Sequence, residues 1–128
     1  MALASTGKAM RVTENALADN LPIDVEEISS RTDVALTMRM DSTLRADIYR
    51  VTPAIVRHLN VLLDQNLGAD EDTEVRALVR KGRDLLNPAN RPTADAPAFG
   101  AFIYLRDAAL LTRRLLWVYV QRNELDAP

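Results

Sequence analysis

Apolar residues fall at helical spacing along almost the whole chain. From Val25 they run through Ile28, Ala35, Leu36 and Met40, cross Asp41-Ser42-Thr43, and continue at Leu44, Ile48, Val51, Ile55, Leu59, Leu62 and Leu67. Such gaps follow the period of an α-helix. Asp24, with Glu27 three positions later, has the form of a helix start, the aspartate accepting from first-turn amides. Thr52-Pro53 allows either a new start or a kink, and the unbroken stripe favours a kink. Whether residues 24–67 form one helix, two or three is left open by Asp41-Ser42-Thr43.

Gly68 has the position of a helix stop. Asp72 is placed to cap a further helix with Glu74 in its first turn and Arg80, Lys81 and Arg83 in its last, the order the helix dipole favours. Val75, Leu78, Val79, Gly82, Leu85 and Leu86 form its inward face. Asn87–Asp95, with two prolines and two asparagines, reads as a long loop. Ala96–Leu125 then has no breaker beyond Pro97 and Gly100, enough for a helix of roughly 45 Å. No alternating strand pattern or internal repeat interrupts this reading. The expected fold is all-α, a four- to five-helix bundle with a kinked central helix and a long C-terminal helix. It occupies 1–128 as one domain, with a core over 24–126 and a weak helix or arm over 1–20.

The last helix carries more apolar residues than one stripe needs. Leu115-Leu116-Trp117-Val118-Tyr119-Val120 covers every face for nearly two turns, and Ala108-Ala109-Leu110-Leu111 does the same just before it. At about 25 cal/mol per Å2, two or three large side chains left in water would forfeit several kcal/mol, comparable with the net stability of a small domain. Either the helix runs through the centre of its own bundle or a partner covers it. A second copy is the simplest partner, with Leu111, Leu115, Trp117 and Val118 as the expected interface.

Composition narrows the chemistry. The 128 residues hold no Cys and a single His, so disulfides, thiolate nucleophiles and cysteine-ligated metals are excluded. Neither a metal nor a cofactor is expected. A net charge of −2 gives no general attraction to nucleic acid or to an anionic bilayer. No uncharged run approaches the length of a membrane span, and the N-terminus lacks the pattern of a signal peptide; a cytoplasmic protein is the expectation. His58 lies at the border of the apolar stripe without a companion motif for hydrolysis or metal binding, which favours an ordinary boundary histidine bonded to a neighbour. Arg106, Arg113 and Trp117 share a face of the last helix. Guanidinium groups beside an indole would seat an aromatic carboxylate or a phosphate, with His58 a further candidate ligand-binding residue, although an arginine stem packed over a surface tryptophan gives the same spacing. The bases at 76, 80, 81 and 83 follow a run of acids and read as a solvated face with Asp72–Arg76 and Arg80–Asp84 ion pairs.

The segment from Leu44 to Leu63 resembles the opening helix of the small helical chorismate mutases. The basic pair that follows in those enzymes is replaced here by Asp64-Gln65-Asn66 and Gly68, so no substrate-binding position carries over. A wider resemblance, over residues 43–124, is to an uncharacterised family of small actinobacterial proteins associated with natural-product biosynthesis. It rests on Leu44-Arg45-x-x-Ile48 with Pro53, on Gly82-Arg83-Asp84-Leu85-Leu86-Asn87-Pro88, and on Tyr104-Leu105-Arg106 through Arg113-Arg114-Leu115-Leu116. The cysteine often present in those relatives is missing. The resemblance implies an actinobacterial source and a gene-cluster context, and it supplies no catalytic residue. Together these features predict a non-enzymatic accessory or interaction protein that forms a homodimer or binds another helical protein. A cofactor-free enzyme or small-molecule binder with an inter-helix pocket is the alternative, and a nucleic-acid-binding regulator ranks behind both.

Overall fold

A computed structural model of the protein describes residues 23–123 apart from 42, 44 and 94. Four α-helices account for most of them: α1 (Val25–Leu36), α2 (Arg45–Leu63), α3 (Thr73–Leu86) and α4 (Ala98–Arg122), with a 3-10 turn at Pro88–Asn90. The fold is an all-α bundle. The weak helix expected over residues 1–20 lies outside the described residues.

Local chemistry places the helix ends. Asp24 caps α1 by accepting from the Glu27 amide at 3.0 Å, and Asp72 caps α3 by accepting from the amides of Glu74 at 2.8 Å and Val75 at 3.3 Å. Thr37 ends α1, its amide bonding back to Asp33 and Ala35. Residues 24–67 therefore hold two helices, separated by a turn in which the Arg39 guanidinium grips Asp41 and the Arg39 amide donates to Thr43 Oγ1. Four-residue gaps from Leu36 through Met40 and Leu44 to Ile48 carry the spacing across this break, although the buried faces on its two sides, Ile28 with Ala35 and Ile48 with Ile55, are roughly opposite in phase at 100° per residue. Pro53 sits inside α2 without ending it. Thr52 does not cap a new helix; its hydroxyl donates back to the Ile48 carbonyl at 2.7 Å, within the helix.

Helices α2 and α4 form the central pair, with α1 and α3 on opposite flanks. Each flanking helix packs against both α2 and α4, and the two do not touch one another. Buried residues of α4, from Ala101 through Leu105, Ala108, Leu111, Thr112, Leu115 and Leu116 to Val120, cover about half its circumference at 100° per residue. The core has two parts. Leucines and isoleucines of α1, α2 and α4 fill one end, with Tyr119; at the other, Ala35, Ala101, Ala108 and Ala109 pack with Ile48, Ile55, Phe102 and Leu105. The buried threonines are satisfied internally, Thr112 donating to the Ala108 carbonyl at 2.6 Å and Thr32 to that of Ile28 at 2.9 Å.

Two glycines mark close approaches. At Gly82 a Cβ would stand 3.1 Å from the methyls of Leu63, which is how closely α3 meets α2. Gly68 has φ +85°, and a Cβ there would meet Arg122 Nη1 at 2.7 Å. Gly68→Ala should therefore lower unfolding stability by about 1–2 kcal/mol from the left-handed backbone alone. Urea denaturation followed by circular dichroism measures this, and an unchanged midpoint would show that the turn is not held as described.

Candidate functional site

The described part of α4 is shorter than the sequence predicts, 25 residues, or about 37 Å. Its apolar surplus divides. Leu111 and Leu115, expected at an interface, are 3% and 0% exposed and belong to the protein's own core. Trp117 is about half exposed, and Val118 is half-buried against the core. Three further large side chains on the same helix reach water, Phe99 at 63%, Ile103 at 37% and Leu110 at 43% exposure.

These residues form one line. Phe99, Ile103, Arg106, Leu110, Arg113 and Trp117 lie within roughly 40° of a single direction on the helix, opposite the buried arc. The sequence reading placed Phe99, Arg106, Leu110, Arg113 and Trp117 on a shared face with Val120, which is in fact buried, and missed Ile103; of the expected interface residues Leu111, Leu115, Trp117 and Val118, the first two point inward. The alternating four- and three-residue gaps were the available signal.

Arg106, Arg113, Trp117 and His58 do not meet in one pocket. Arg113 and Trp117 line a groove of about 720 Å3 between α4 and the start of α3. Its opposite wall carries Glu71, Asp72 and Glu74, and the Arg122 guanidinium binds Glu71 across it at 3.2 Å. Arg113 is turned toward α1, where it donates to Asp33 at 2.7 Å and to Ser29 at 3.3 Å. Acids and bases neutralise one another here, so the groove is a poor seat for a free anion. Arg106 is exposed on the helix and lines no cavity among the described residues.

His58 lies elsewhere, buried on α2 where it faces α1. Its Nε2 has no hydrogen-bond partner among the described residues; Glu27 is nearest, at 3.7 Å. The neighbour-bonded histidine predicted from sequence is thus not what the fold contains, since burial brought the ring in without placing an acceptor or donor at bonding distance. Burial lowers its pKa, Arg57 and Arg31 act in the same direction, and Glu27 and Asp24 oppose them. The solvated basic face of α3 also pairs differently from expectation. Arg76 donates to the carbonyls of Ala69 and Asp70 because Asp72 is occupied as a cap, and no Arg80–Asp84 bridge forms.

A second cavity, which sequence reasoning missed, opens between α2, the proline loop and the first turns of α4, with a volume of about 560 Å3. Two tyrosines brace it, one bonded to the loop and one to the last turn of α3. Tyr49 donates to the Thr93 carbonyl at 2.5 Å and Tyr104 to that of Leu85 at 2.6 Å, while Arg45 donates to Ala96. No periodicity signals a cavity made by a loop folded back over two helices. Among the described residues no three His, Asp or Glu side chains form a metal cluster, and no helix is long and apolar enough to cross a membrane. No family model matches the chain, and neither a curated protein nor a solved structure is detectably similar to it.

A buried histidine with a lowered pKa has a definite pH signature. The unfolded state takes up a proton near pH 6.5 and the folded state only below that, so stability is complete above about 6.5 and falls as pH drops toward the folded value. His58→Leu should remove this acid-side loss and, by eliminating an unbonded polar atom, raise stability at pH 7 by about 1 kcal/mol. Thermal unfolding of both proteins between pH 7.5 and 5 tests it, and parallel pH profiles would refute it.

Proposed function

We propose that the protein is a helical interaction protein that self-associates, two copies packing antiparallel through the outer face of α4. One observation carries this reading: exposed Phe99, Ile103, Arg106, Leu110 and Trp117, with half-buried Arg113, follow the alternating four–three spacing of a coiled-coil seam. Ile103, Leu110 and Trp117 take one core position of the heptad and Phe99, Arg106 and Arg113 the other. Monomeric proteins seldom leave such a continuous apolar line in water.

The pattern also selects a direction. In a parallel pair each residue meets its own copy, placing Arg106 on Arg106 and Arg113 on Arg113, two layers of like charge. In an antiparallel pair the two core positions face each other, so that Trp117 meets Phe99, Leu110 meets the stem of Arg106, and Ile103 meets that of Arg113. No arginine then faces an arginine, and Arg113 keeps its ion pair with Asp33 to the side of the seam.

The energetics favour a reversible pair. Closing the seam removes about half of each exposed apolar side chain from water, on the order of 1 kcal/mol apiece. Set against several kcal/mol lost on association, eight such side chains and the arginine stems support a dissociation constant on the order of 100 µM. The resemblance of residues 43–124 to the natural-product proteins supports placing this association in a specialised-metabolite pathway, as an accessory role without catalysis.

Sedimentation velocity from about 5 to 500 µM should show the mass rising from 14.2 kDa toward twice that value, and Leu110→Asp should hold it at the monomer. Because the chain has no cysteine, mixing Ile103→Cys with Arg113→Cys under oxidising conditions should link the two variants to each other in preference to themselves. A wild-type monomer at every concentration would reject self-association, and self-linked products would reject the antiparallel order.

A further inference from the structure

The cavity between α2, the proline loop and α4 lies on the side of α4 away from the exposed seam, because Ala101 and Tyr104, its contributions to the lining, belong to the buried arc. The loop that walls it is tied to α2 by Tyr49 and Arg45, Tyr104 ties α4 to the last turn of α3 at Leu85, and Asn90 secures the start of the loop by donating to the Asp84 carbonyl at 2.7 Å. A volume of about 560 Å3 is that of a site for a small organic molecule.

The lining is apolar with one kind of charge. Pro53, Val56, Leu86, Pro92 and Ala101 supply hydrocarbon, and Arg57 and Arg91 are the charged residues, with no carboxylate among the lining side chains. Five of the described arginines are paired with carboxylates, Arg31 with Glu27, Arg39 with Asp41, Arg50 with Asp47, Arg113 with Asp33 and Arg122 with Glu71. Among the described residues neither Arg57 nor Arg91 has such a partner. Two unpaired guanidinium groups on a preformed apolar cavity match a ligand that carries the missing anion. Asn60, also in the lining, adds an amide donor. Arg91 is close enough to Tyr104 to offset part of the burial that raises the tyrosine's pKa, which places its charge at the cavity.

We propose that this cavity binds a small amphipathic organic anion, a ring or hydrocarbon body resting on Pro53, Val56 and Ala101 and an acidic head, carboxylate or phosphate monoester, held by Arg57 and Arg91. The site is independent of α4 self-association.

The probes that test it are 1-naphthylacetate, 1-naphthyl phosphate and the neutral 1-naphthylacetamide, titrated into 15N-labelled protein and followed by amide chemical shifts. At least one of the two anions should bind about 10-fold or more tighter than the amide, the effect of a charge-assisted hydrogen bond, with the largest shifts at Thr52, Val56 and Tyr104. Whichever anion prevails identifies the head group. The double variant Arg57→Gln, Arg91→Gln should abolish the preference and leave the melting temperature unchanged, since both side chains are exposed. Arg106→Gln should leave binding as in the wild type. Equal affinity for anions and amide, shifts centred on Trp117, or a preference that survives the double variant would each overturn the proposal.

Discussion

The structure depends on the half-circumference of α4 that is buried. Helices α1, α2 and α3 are individually amphipathic and reach one another only in part; α1 and α3 do not touch at all. What joins them is a single helix whose residues from Ala101 to Val120 supply an apolar surface to all three. Such a helix is wetter on its remaining side than a fully central one, since three neighbours of ordinary diameter cannot enclose it. The apolar line from Phe99 to Trp117 is the geometric residue of that arrangement. Among the described residues three helices pack on α4, and they leave this side of it uncovered.

Much of the fold was legible because its determinants are local. Asp24 and Asp72 announced their helices by the capping chemistry they perform, and the proline loop announced itself by composition; Gly68, expected to stop the preceding helix, instead takes its positive φ in the loop before α3, after α2 has ended at Leu63. The break between α1 and α2 was not settled by spacing, because the four-residue steps Leu36, Met40, Leu44 and Ile48 bridge two buried faces that are roughly opposite in helical phase, while Thr37, Arg39, Asp41 and Thr43 make the turn through hydrogen bonds that leave no periodic trace. Rotational register was the other limit. With apolar residues on every face of residues 115–120, the sequence contains two candidate inner faces, and only the neighbours decide that Leu111 and Leu115 go inward while Leu110 and Trp117 stay out.

The candidate sites were harder to read because both depend on what is absent. His58 was expected at a boundary with a partner; the fold buries it and leaves Nε2 without one. Arg106, Arg113 and Trp117 share a face, but a ligand site needs charges free to receive a ligand, and Arg113 is already committed to Asp33 and Ser29. Arg57 and Arg91, which share a concave surface that has no carboxylate in its lining, are more than thirty residues apart and carry no common periodicity. Spacing along one helix finds faces, whereas concavity requires two or three elements to be assembled first.

The position of the cavity has its own physical cause in the asymmetry of the core. At the end built around Leu59, Leu62, Leu115 and Leu116, large side chains of α2 and α4 fill the space between the helices. At the other end α4 presents Ala101, Ala108 and Ala109, and side chains that small cannot reach far beyond the line of closest contact. The gap left beside Ala101 is roofed by the loop after α3, which the hydroxyl of Tyr49 holds at Thr93, while that of Tyr104 bonds the last turn of α3 at Leu85. A bundle with leucine at position 101 would close this space with its own atoms. Alanine at the buried face and tyrosines at the rim are the combination that keeps a cavity open while leaving the helices packed.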